Sequence, residues 1–263
     1  MSSESFPETD FGEDAPSSEE DEGTRLSIDE IESLIDGAEI EGGELVPRGS
    51  NYTFAVELRN GDLRFLGIYK PAGGERPLWD YPYGTLHHRE RCSFLISQAL
   101  GWQLVPPTIV REGPHGEGSV QLYIAHDPES DYFTLLEEGR PELFLLAVFD
   151  LIVNNTDRKG GHCLKGQDGR VWGIDHGLTF HVEPKLRTVI WDFAGHELSE
   201  NILDDLRGLD RKLDDGENPM TSEIISRLEP EEFDMLRRRV GAFLANPRLP
   251  HPEEYRSFPW PPI

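Results

Sequence analysis

The sequence is short of cysteine, of long apolar stretches and of positive charge, and each shortage excludes a class of protein. Its 263 residues contain two cysteines, Cys92 and Cys163, which are too few for a disulfide framework and favour a reduced, cytoplasmic protein. No stretch approaches the roughly 18 consecutive apolar residues that span a bilayer. The N-terminal MSSESFPETD lacks the basic and apolar regions of a signal peptide. We therefore expect neither secretion nor a membrane span.

The shortage of positive charge is the largest of the three. Lysine and arginine total 25 against 50 aspartates and glutamates, which gives a net charge of −25 at pH 7. Residues 1–45 hold 16 acids and one base, and residues 46–263 are still acidic, with 34 acids and 24 bases. Such a surface offers neither the basic footprint that binds nucleic acid nor the polybasic patch that binds anionic lipid. We expect no nucleic-acid partner and no stable membrane association.

Turn and capping signals divide the chain into a tail and two lobes. Residues 1–24 carry nine acids and no base, a composition typical of a disordered acidic tail. A capping box at Ser27–Glu30 starts the first helix, and β-like runs on both sides of Asn60-Gly61 predict a hairpin. The order of elements predicts an α+β fold, with a small antiparallel β N-lobe at residues 25–125 and a mainly helical C-lobe at residues 126–263.

Apolar periodicity and helix-breaking residues predict the remaining elements. A helix at Leu86–Leu100 ends before Gly101, and a second hairpin surrounds residues 113–118. Pro141–Val153 is apolar enough for a buried helix. A third hairpin then joins residues 162–165 to residues 170–174, and most of the chain beyond it is helical.

The densest polar segment, Asn154–His162, directly follows the predicted buried helix. Its plain interpretation is a helix-terminating turn. Protein kinases, however, place a catalytic Asp five residues before a metal-binding Asn, and a second metal-binding Asp before a Gly after the next hairpin. Here His162 follows Asp157 by five residues, and Asp175 follows Asp157 by 18. The spacing predicts that the two carboxylates meet, one to orient an acceptor hydroxyl and the other to hold magnesium.

A phosphate-binding lysine is expected on an upstream strand. Lys70 ends the β run Leu63–Tyr69. A lone strand lysine is usually a solvated edge charge, but Glu90 lies in the first turns of the helix at 86–100 and could pair with it. We therefore predict that Lys70 and Glu90 form the ion pair that kinases use to position ATP.

The other nucleotide-binding signals are weaker. Neither G-x-G-x-x-G nor G-x-x-x-x-G-K-[ST] occurs in the chain. The phosphate loop is therefore assigned to the turn between the first strands, where Ser50 and Asn51 would cap phosphate oxygens. Gln121 and Tyr123 share one face of the last strand before the connector, where the base of ATP would lie. Sheet packing is the competing explanation for both.

Together these motifs resemble the uncharacterised actinobacterial proteins assigned to the phosphatidylinositol 3-/4-kinase-like group. Wider relatives of that group include type II phosphatidylinositol 4-kinases, HipA-type toxin kinases and kinases of the secretory pathway. The resemblance covers nearly all of the chain after the acidic tail. The matching segments are Ile68–Pro71, Arg89-Glu90, Leu100-Gly101, Val105–Thr108, Asn154–His162, Gly173–Gly177, Leu186–Phe193 and Pro259–Pro262.

The resemblance implies a bilobal protein-kinase-like fold of the phosphatidylinositol 3-/4-kinase-like type, with ATP and Mg²⁺ or Mn²⁺ as cofactors. It implies that Lys70 contacts the phosphates, that Glu90 holds Lys70, and that Asp157 is the catalytic residue. Asp175 would be the principal metal ligand. His162 occupies the second metal position, where the wider group has Asn, and an imidazole suits transition metals better than magnesium.

Three functions remain open at this level. The leading one is an ATP-dependent phosphotransferase acting on a cytoplasmic protein or small soluble acceptor, because the acidic body disfavours a lipid surface. The departure at His162 favours a second, a pseudokinase or nucleotide-binding scaffold without turnover. A third is a metal-dependent hydrolase that uses His162, Asp175 and His176. The pair His87-His88 is a weaker metal candidate, because paired histidines at a helix start usually bind none.

Overall fold

The computed structural model describes residues 26–46, 51–253 and 257–263. The predicted acidic tail at residues 1–24 and the predicted phosphate-loop residue Ser50 lie outside the described residues. The division of the chain at residue 125 stays a prediction. We call residues 26–46 and 51–122 the sheet half, and residues 131–253 the helical half.

A five-stranded antiparallel sheet forms most of the sheet half. Asn60 pairs with Leu63 across the Gly61-Asp62 turn, which confirms the predicted Asn-Gly hairpin. The strands, in order across the sheet, are β1 (Glu39–Leu45), β2 (Phe54–Asn60), β3 (Leu63–Pro71), β5 (Gly116–Leu122) and β4 (Thr108–Gly113).

One face of this sheet is covered by helix α1 (Ile28–Gly37), which begins with the predicted capping box at Ser27 and Glu30. The small core between them includes Tyr69 and Val120. Because successive side chains on a strand point to opposite faces, Lys70 and Gln121 must face the other side. The alternation of β3 and β5 therefore aims both residues away from this core and toward the helical half.

Helix α2 (Leu86–Ala99) lies between the two halves, close to the predicted bounds. It contacts β4 and β5 on one side and two helices of the helical half on the other. Its buried surface carries Cys92, Phe94 and Ile96, and all three belong to the large core. The buried polar residues Arg89 and Glu90 on the same helix need charged partners, because an unpaired buried charge is costly.

The helical half contains α4 (Glu142–Val153), most of which is buried in the large core, while Phe144, Leu145 and Leu151 are partly buried. Helices α5 (Glu200–Asp214), α6 (Pro219–Arg227) and α7 (Pro230–Ala245) follow in the chain, and α7 packs against α4. The short strands β6 (Cys163–Lys165) and β7 (Val171–Gly173) form the predicted third hairpin. Among the described residues, no helix is both long and apolar enough to cross a bilayer.

One helix was absent from the sequence-based prediction, which assigned a connector to this part of the chain. Helix α3 (Tyr132–Glu137) is six residues long and starts with a capping box between Asp131 and Thr134. The cap signal is present in the sequence. The segment is too short to show helical periodicity, so only the packing of Tyr132 and Leu135 into the large core reveals it.

Candidate active site

A cleft of about 430 Å³ lies between the sheet and the helical half. Strand β3, helix α2, the loop after α4 and the β6–β7 hairpin each place at least one charged or imidazole side chain on its wall. Among them are the sequence-predicted Lys70, Glu90, Asp157, His162 and Asp175, and Glu75, His87 and His126 also line the cleft. Residues as much as 105 positions apart in the chain thus meet in one cavity.

Lys70 is the centre of the charged cluster in the cleft. Its Nζ donates to Glu90 Oε1 and, at 2.8 Å, to Asp175 Oδ1. The other oxygen of Glu90 accepts the backbone N–H of His176 at 3.0 Å. Glu90 therefore ties helix α2 both to β3 and to the loop that carries Asp175, as the predicted ion pair requires.

The ionisation of this pair follows from its contacts. Burial disfavours the charged form of Lys70, but the carboxylates of Asp175 and Glu90 outweigh it and raise the lysine pKa. The Lys70 charge in turn holds the pKa of Asp175 well below its usual range, against the effect of burial. Asp175 has a left-handed backbone, at φ 59°, a conformation uncommon outside glycine and found at functional sites.

The loop after α4 sets the position of Asp157. Asn154 ends the helix with a left-handed backbone at φ 52°. The next residue, Asn155, accepts the N–H of Asp157 at 3.0 Å through its side-chain oxygen. Burial raises the pKa of Asp157 although Lys159 lies 3.1 Å from it. The loop thus holds a carboxylate of raised proton affinity at the floor of the cleft.

His162 lies next to Asp175. Its Nε2 is 3.4 Å from Asp175 Oδ2, and its Nδ1 accepts the backbone N–H of Lys159 at 3.4 Å. Burial lowers the pKa of His162 to about 4, so the ring is neutral at pH 7. Inferred from this network, the ring proton is on Nε2, where it faces the carboxylate.

A second charged cluster lies directly behind the cleft, and the sequence reasoning missed it. Arg158 and Asp150 are both 0% exposed, and the guanidinium donates to both carboxylate oxygens at 2.9 Å. Its remaining nitrogen donates to the carbonyls of His162, at 3.2 Å, and Ile174, at 2.8 Å. The available signal was a single aspartate inside the apolar run of α4, because a buried carboxylate requires a cation.

His176 belongs to this buried cluster, although its neighbour Asp175 faces the cleft. Its ring is 0% exposed, its Nε2 lies 2.6 Å from the Arg158 guanidinium, and it packs edge-on against Phe149. Burial and the Arg158 charge lower its pKa far below the usual value. Among the described residues, His162, Asp175 and His176 do not form a group within metal-ligating distance of one another, which weighs against the hydrolase hypothesis.

The predicted nucleotide residues fall around the mouth of the cleft. Asn51 borders the cavity, and its side-chain oxygen accepts the N–H of Arg76 at 2.9 Å. Gln121 also borders it, but its amide donates to Thr108 at 2.8 Å within the sheet. Tyr123 is partly exposed on the wall of the cleft. The structure brings these three residues to the same cavity as Lys70, and their contact with ATP stays a prediction.

Comparison with solved structures identifies the class of fold. The chain is similar to the structure of hydra Fam20 with sugar, with a TM-score of 0.51 and 13% identity over 83% of this chain and 87% of the other. It also resembles the Golgi casein kinase with Mn/ADP bound, with a TM-score of 0.49 and 13% identity over 90% of this chain and 80% of the other. The hydra structure is the match with the higher TM-score, and it indicates that this chain has a Fam20-like, kinase-like fold.

Comparison of sequences identifies the family. The chain is 39% identical to Protein Rv2133c of Mycobacterium tuberculosis in an alignment 271 positions long, which covers 90% of this chain and 96% of the relative. No family model matches the sequence. The chain belongs to the family of Protein Rv2133c.

Proposed function

We propose that the protein is an ATP-dependent phosphotransferase that acts on a cytoplasmic protein or a small soluble acceptor. One observation supports this most directly: Lys70 bonds to both Glu90 and Asp175 in a cleft that also holds Asp157. A cation flanked by a structural and a metal-binding carboxylate, facing a third carboxylate, is what phosphoryl transfer needs, because that reaction proceeds by positioning and charge neutralisation.

In this proposal each residue of the cleft has one role. Lys70 remains fully protonated and binds phosphate oxygens. Glu90 holds the lysine in place, and it is itself held by the backbone of His176. Asp157 orients the acceptor hydroxyl and accepts its proton, a task suited to a carboxylate whose pKa burial has raised.

A divalent metal fits beside Asp175. The 3.4 Å between His162 Nε2 and Asp175 Oδ2 is near the ~3.0 Å that separates adjacent ligands around an octahedral ion with bonds of about 2.1 Å. Binding through Nε2 would require the ring proton to move to Nδ1. The bound metal would neutralise the phosphate charge. A donor set with imidazole favours Mn²⁺ over Mg²⁺.

Membership of the phosphatidylinositol 3-/4-kinase-like group remains part of the proposal, supported by the motifs that resemble it. A phosphoinositide acceptor is disfavoured by charge. Between residues 178 and 197 the only Lys and Arg residues are Lys185 and Arg187. Lys185 is already paired with Asp80 at 3.2 Å. Few free cations are thus left in this segment to attract an anionic membrane.

The proposal is tested with purified protein, ATP and Mg²⁺ or Mn²⁺. We expect a nucleotide- and metal-dependent rise in melting temperature, followed by transfer or hydrolysis of the γ-phosphate. Lys70→Met should remove the nucleotide-dependent rise in melting temperature and lower phosphate transfer by about 10²–10³-fold or more. The matched control Lys165→Met removes a strand lysine whose ion pair with Glu138 lies away from the cleft and should retain both. Absence of any nucleotide binding would refute the proposal.

A scaffold without turnover is the second candidate, and the imidazole at position 162 is the observation that favours it. The same assay separates the two. Nucleotide binding that depends on Lys70, but with no phosphate transfer to any acceptor or to water in either metal, would establish the scaffold.

A further inference from the structure

A second group of metal-ligating side chains lies at the start of helix α2. His87 and His88 are in its first turn, and Glu117 is on the adjacent strand β5. His87 Nε2 lies 3.1 Å and His88 Nε2 lies 3.4 Å from the same oxygen, Oε1 of Glu117. One ligand atom from each of the three lies within 4.8 Å of the other two.

The surroundings of His87 give an independent indication of a ligand. Its ring is 2% exposed, and its Nδ1 has no hydrogen-bond partner within the described part of the chain. Oε1 of Glu75 lies 3.6 Å from Nδ1. Backbone N–H groups of Gly84 and Leu86, at 2.7 and 2.8 Å, fix that carboxylate. Each ring nitrogen of His87 therefore faces a carboxylate: Nδ1 faces Glu75, and Nε2 faces Glu117.

This arrangement has the form of a metal-bound histidine with an outer carboxylate. A carboxylate facing Nδ1 places the ring proton there and leaves Nε2 free to bind a metal, as metal-ligating histidines generally require. A purely structural histidine has no need of the second imidazole directed at the same oxygen.

We propose that His87, His88 and Glu117 form a transition-metal site, with Zn²⁺ as its preferred ion and Glu75 as the outer carboxylate. The distances of 3.1 and 3.4 Å match the ~3.3 Å that separates two ligands of a tetrahedral zinc with bonds of about 2.0–2.1 Å. Two imidazoles and one carboxylate leave a fourth position for water. Two nitrogen ligands disfavour Mg²⁺ and Ca²⁺, which prefer oxygen.

The site has a structural consequence for the cleft. Glu90, which holds Lys70, follows His87 by three residues and thus by about one helical turn. A metal bound to His87, His88 and Glu117 would tie the first turn of α2 to β5 and stabilise the position of Glu90. The metal would be bound without nucleotide, and the inference does not depend on phosphotransfer.

The experiment measures Zn²⁺ binding by the full chain after chelator treatment and desalting. Isothermal titration gives affinity and stoichiometry, and Co²⁺ absorption reports coordination geometry. All proteins carry Asp175→Asn, so that the cleft contributes no ion. We expect one Zn²⁺ per chain, not displaced by Mg²⁺, and a tetrahedral Co²⁺ spectrum. Glu117→Gln and His88→Gln should each weaken binding by more than the roughly 10–100-fold typical of losing an outer-shell partner.

The matched control is Glu57→Gln, which removes one exposed carboxylate from β2, on the far side of β3 from β5. It should leave affinity unchanged. Glu117 is 52% exposed at its side chain, so its replacement is not expected to unfold the chain, and circular dichroism verifies this. Absence of stoichiometric Zn²⁺ binding, or binding that survives Glu117→Gln unchanged, would overturn the inference.

Discussion

Two charged clusters lie back to back in this protein, and they differ mainly in their access to water. The cleft cluster consists of Lys70, Glu90 and Asp175, and the Asp175 side chain is 50% exposed. The buried cluster consists of Asp150 and Arg158, whose side chains are 0% exposed. Both pair carboxylates with a cation at less than 3 Å.

The difference in exposure separates positioning from binding. The buried guanidinium satisfies a carboxylate and two backbone carbonyls at once, so it holds the loop of Asp157 and the hairpin of Asp175 in one geometry. The cleft cluster is open on one side, so a phosphate or metal can replace one of its contacts. The buried cluster holds the backbone of the site in place, and the cleft cluster can exchange one of its contacts for a ligand.

The largest expected effect comes from breaking the buried cluster. Arg158→Met leaves Asp150 buried and unpaired, and we expect the free energy of unfolding to fall by about 3–5 kcal/mol. Urea denaturation measures it. The control Arg207→Met removes an exposed arginine paired with Glu200 and Asp204 and should change stability by less than about 1 kcal/mol. Equal losses of unfolding free energy in the two variants would show that the buried pair stabilises the fold no more than an exposed pair does.

Disrupting the cleft cluster should lower activity strongly and the free energy of unfolding only weakly. Lys70→Met removes the cation that we propose to bind phosphate, and we expect phosphate transfer to fall by about 10²–10³-fold or more. The unfolding free energy should fall less than in Arg158→Met, because water reaches Asp175 in the cleft and Glu90 keeps the backbone N–H of His176 as a partner. Turnover and urea denaturation are measured on the same preparation. A loss of stability as large as that of Arg158→Met would contradict the division between the two clusters.

Glu90 tests the boundary between the clusters, since it is buried but contacts the cleft. Glu90→Gln preserves its shape and can still accept the His176 N–H, but it removes the negative charge beside Lys70. We expect turnover to fall by about tenfold, as for the loss of a hydrogen bond to a charged group. Kinetics at saturating ATP measures this fall. An unchanged rate would show that the charge of Glu90 is not needed to position Lys70.

His162 contacts both clusters: its carbonyl accepts from Arg158, and its ring lies beside Asp175. His162→Asn retains the backbone contact and replaces the imidazole with an oxygen ligand. We expect the ratio of activity in Mn²⁺ to activity in Mg²⁺ to fall several-fold, because magnesium prefers oxygen. The ratio is measured in parent and variant at matched metal concentrations. A ratio that does not change would mean that His162 does not bind the metal.

The smallest expected effect concerns the outer surface, where neither cluster takes part. Outside the first 45 residues the chain still has ten more acids than bases, so we expect no co-sedimentation with vesicles that contain phosphoinositide. Low salt makes the test stringent, since it strengthens any attraction. Vesicles of neutral lipid are the control. Robust sedimentation with the anionic vesicles alone would restore the lipid-kinase hypothesis.

Much of the fold follows from local signals. The capping box at Ser27, the hairpin at Asn60-Gly61 and the apolar run of α4 each depend on neighbours within a few residues, so their structures could be predicted. Helix α3 was missed because a six-residue helix is stabilised by packing rather than by its own periodicity. Motif spacing predicted that Asp157 and Asp175 would lie together, because the hairpin between them returns the chain, and both line the cleft. Their roles stay predictions.

What the sequence determined by itself is the inventory: which residues carry charge, where strands and helices begin, and how far apart the motif residues lie. What only the tertiary structure decided is the environment of each charge. Asp150 and Asp175 are the same residue type, yet one is enclosed beside Arg158 and the other opens to the cleft. His87 and Glu117 meet only because α2 packs on β5. Burial and long-range contact arise from packing between distant segments, and no local pattern encodes them.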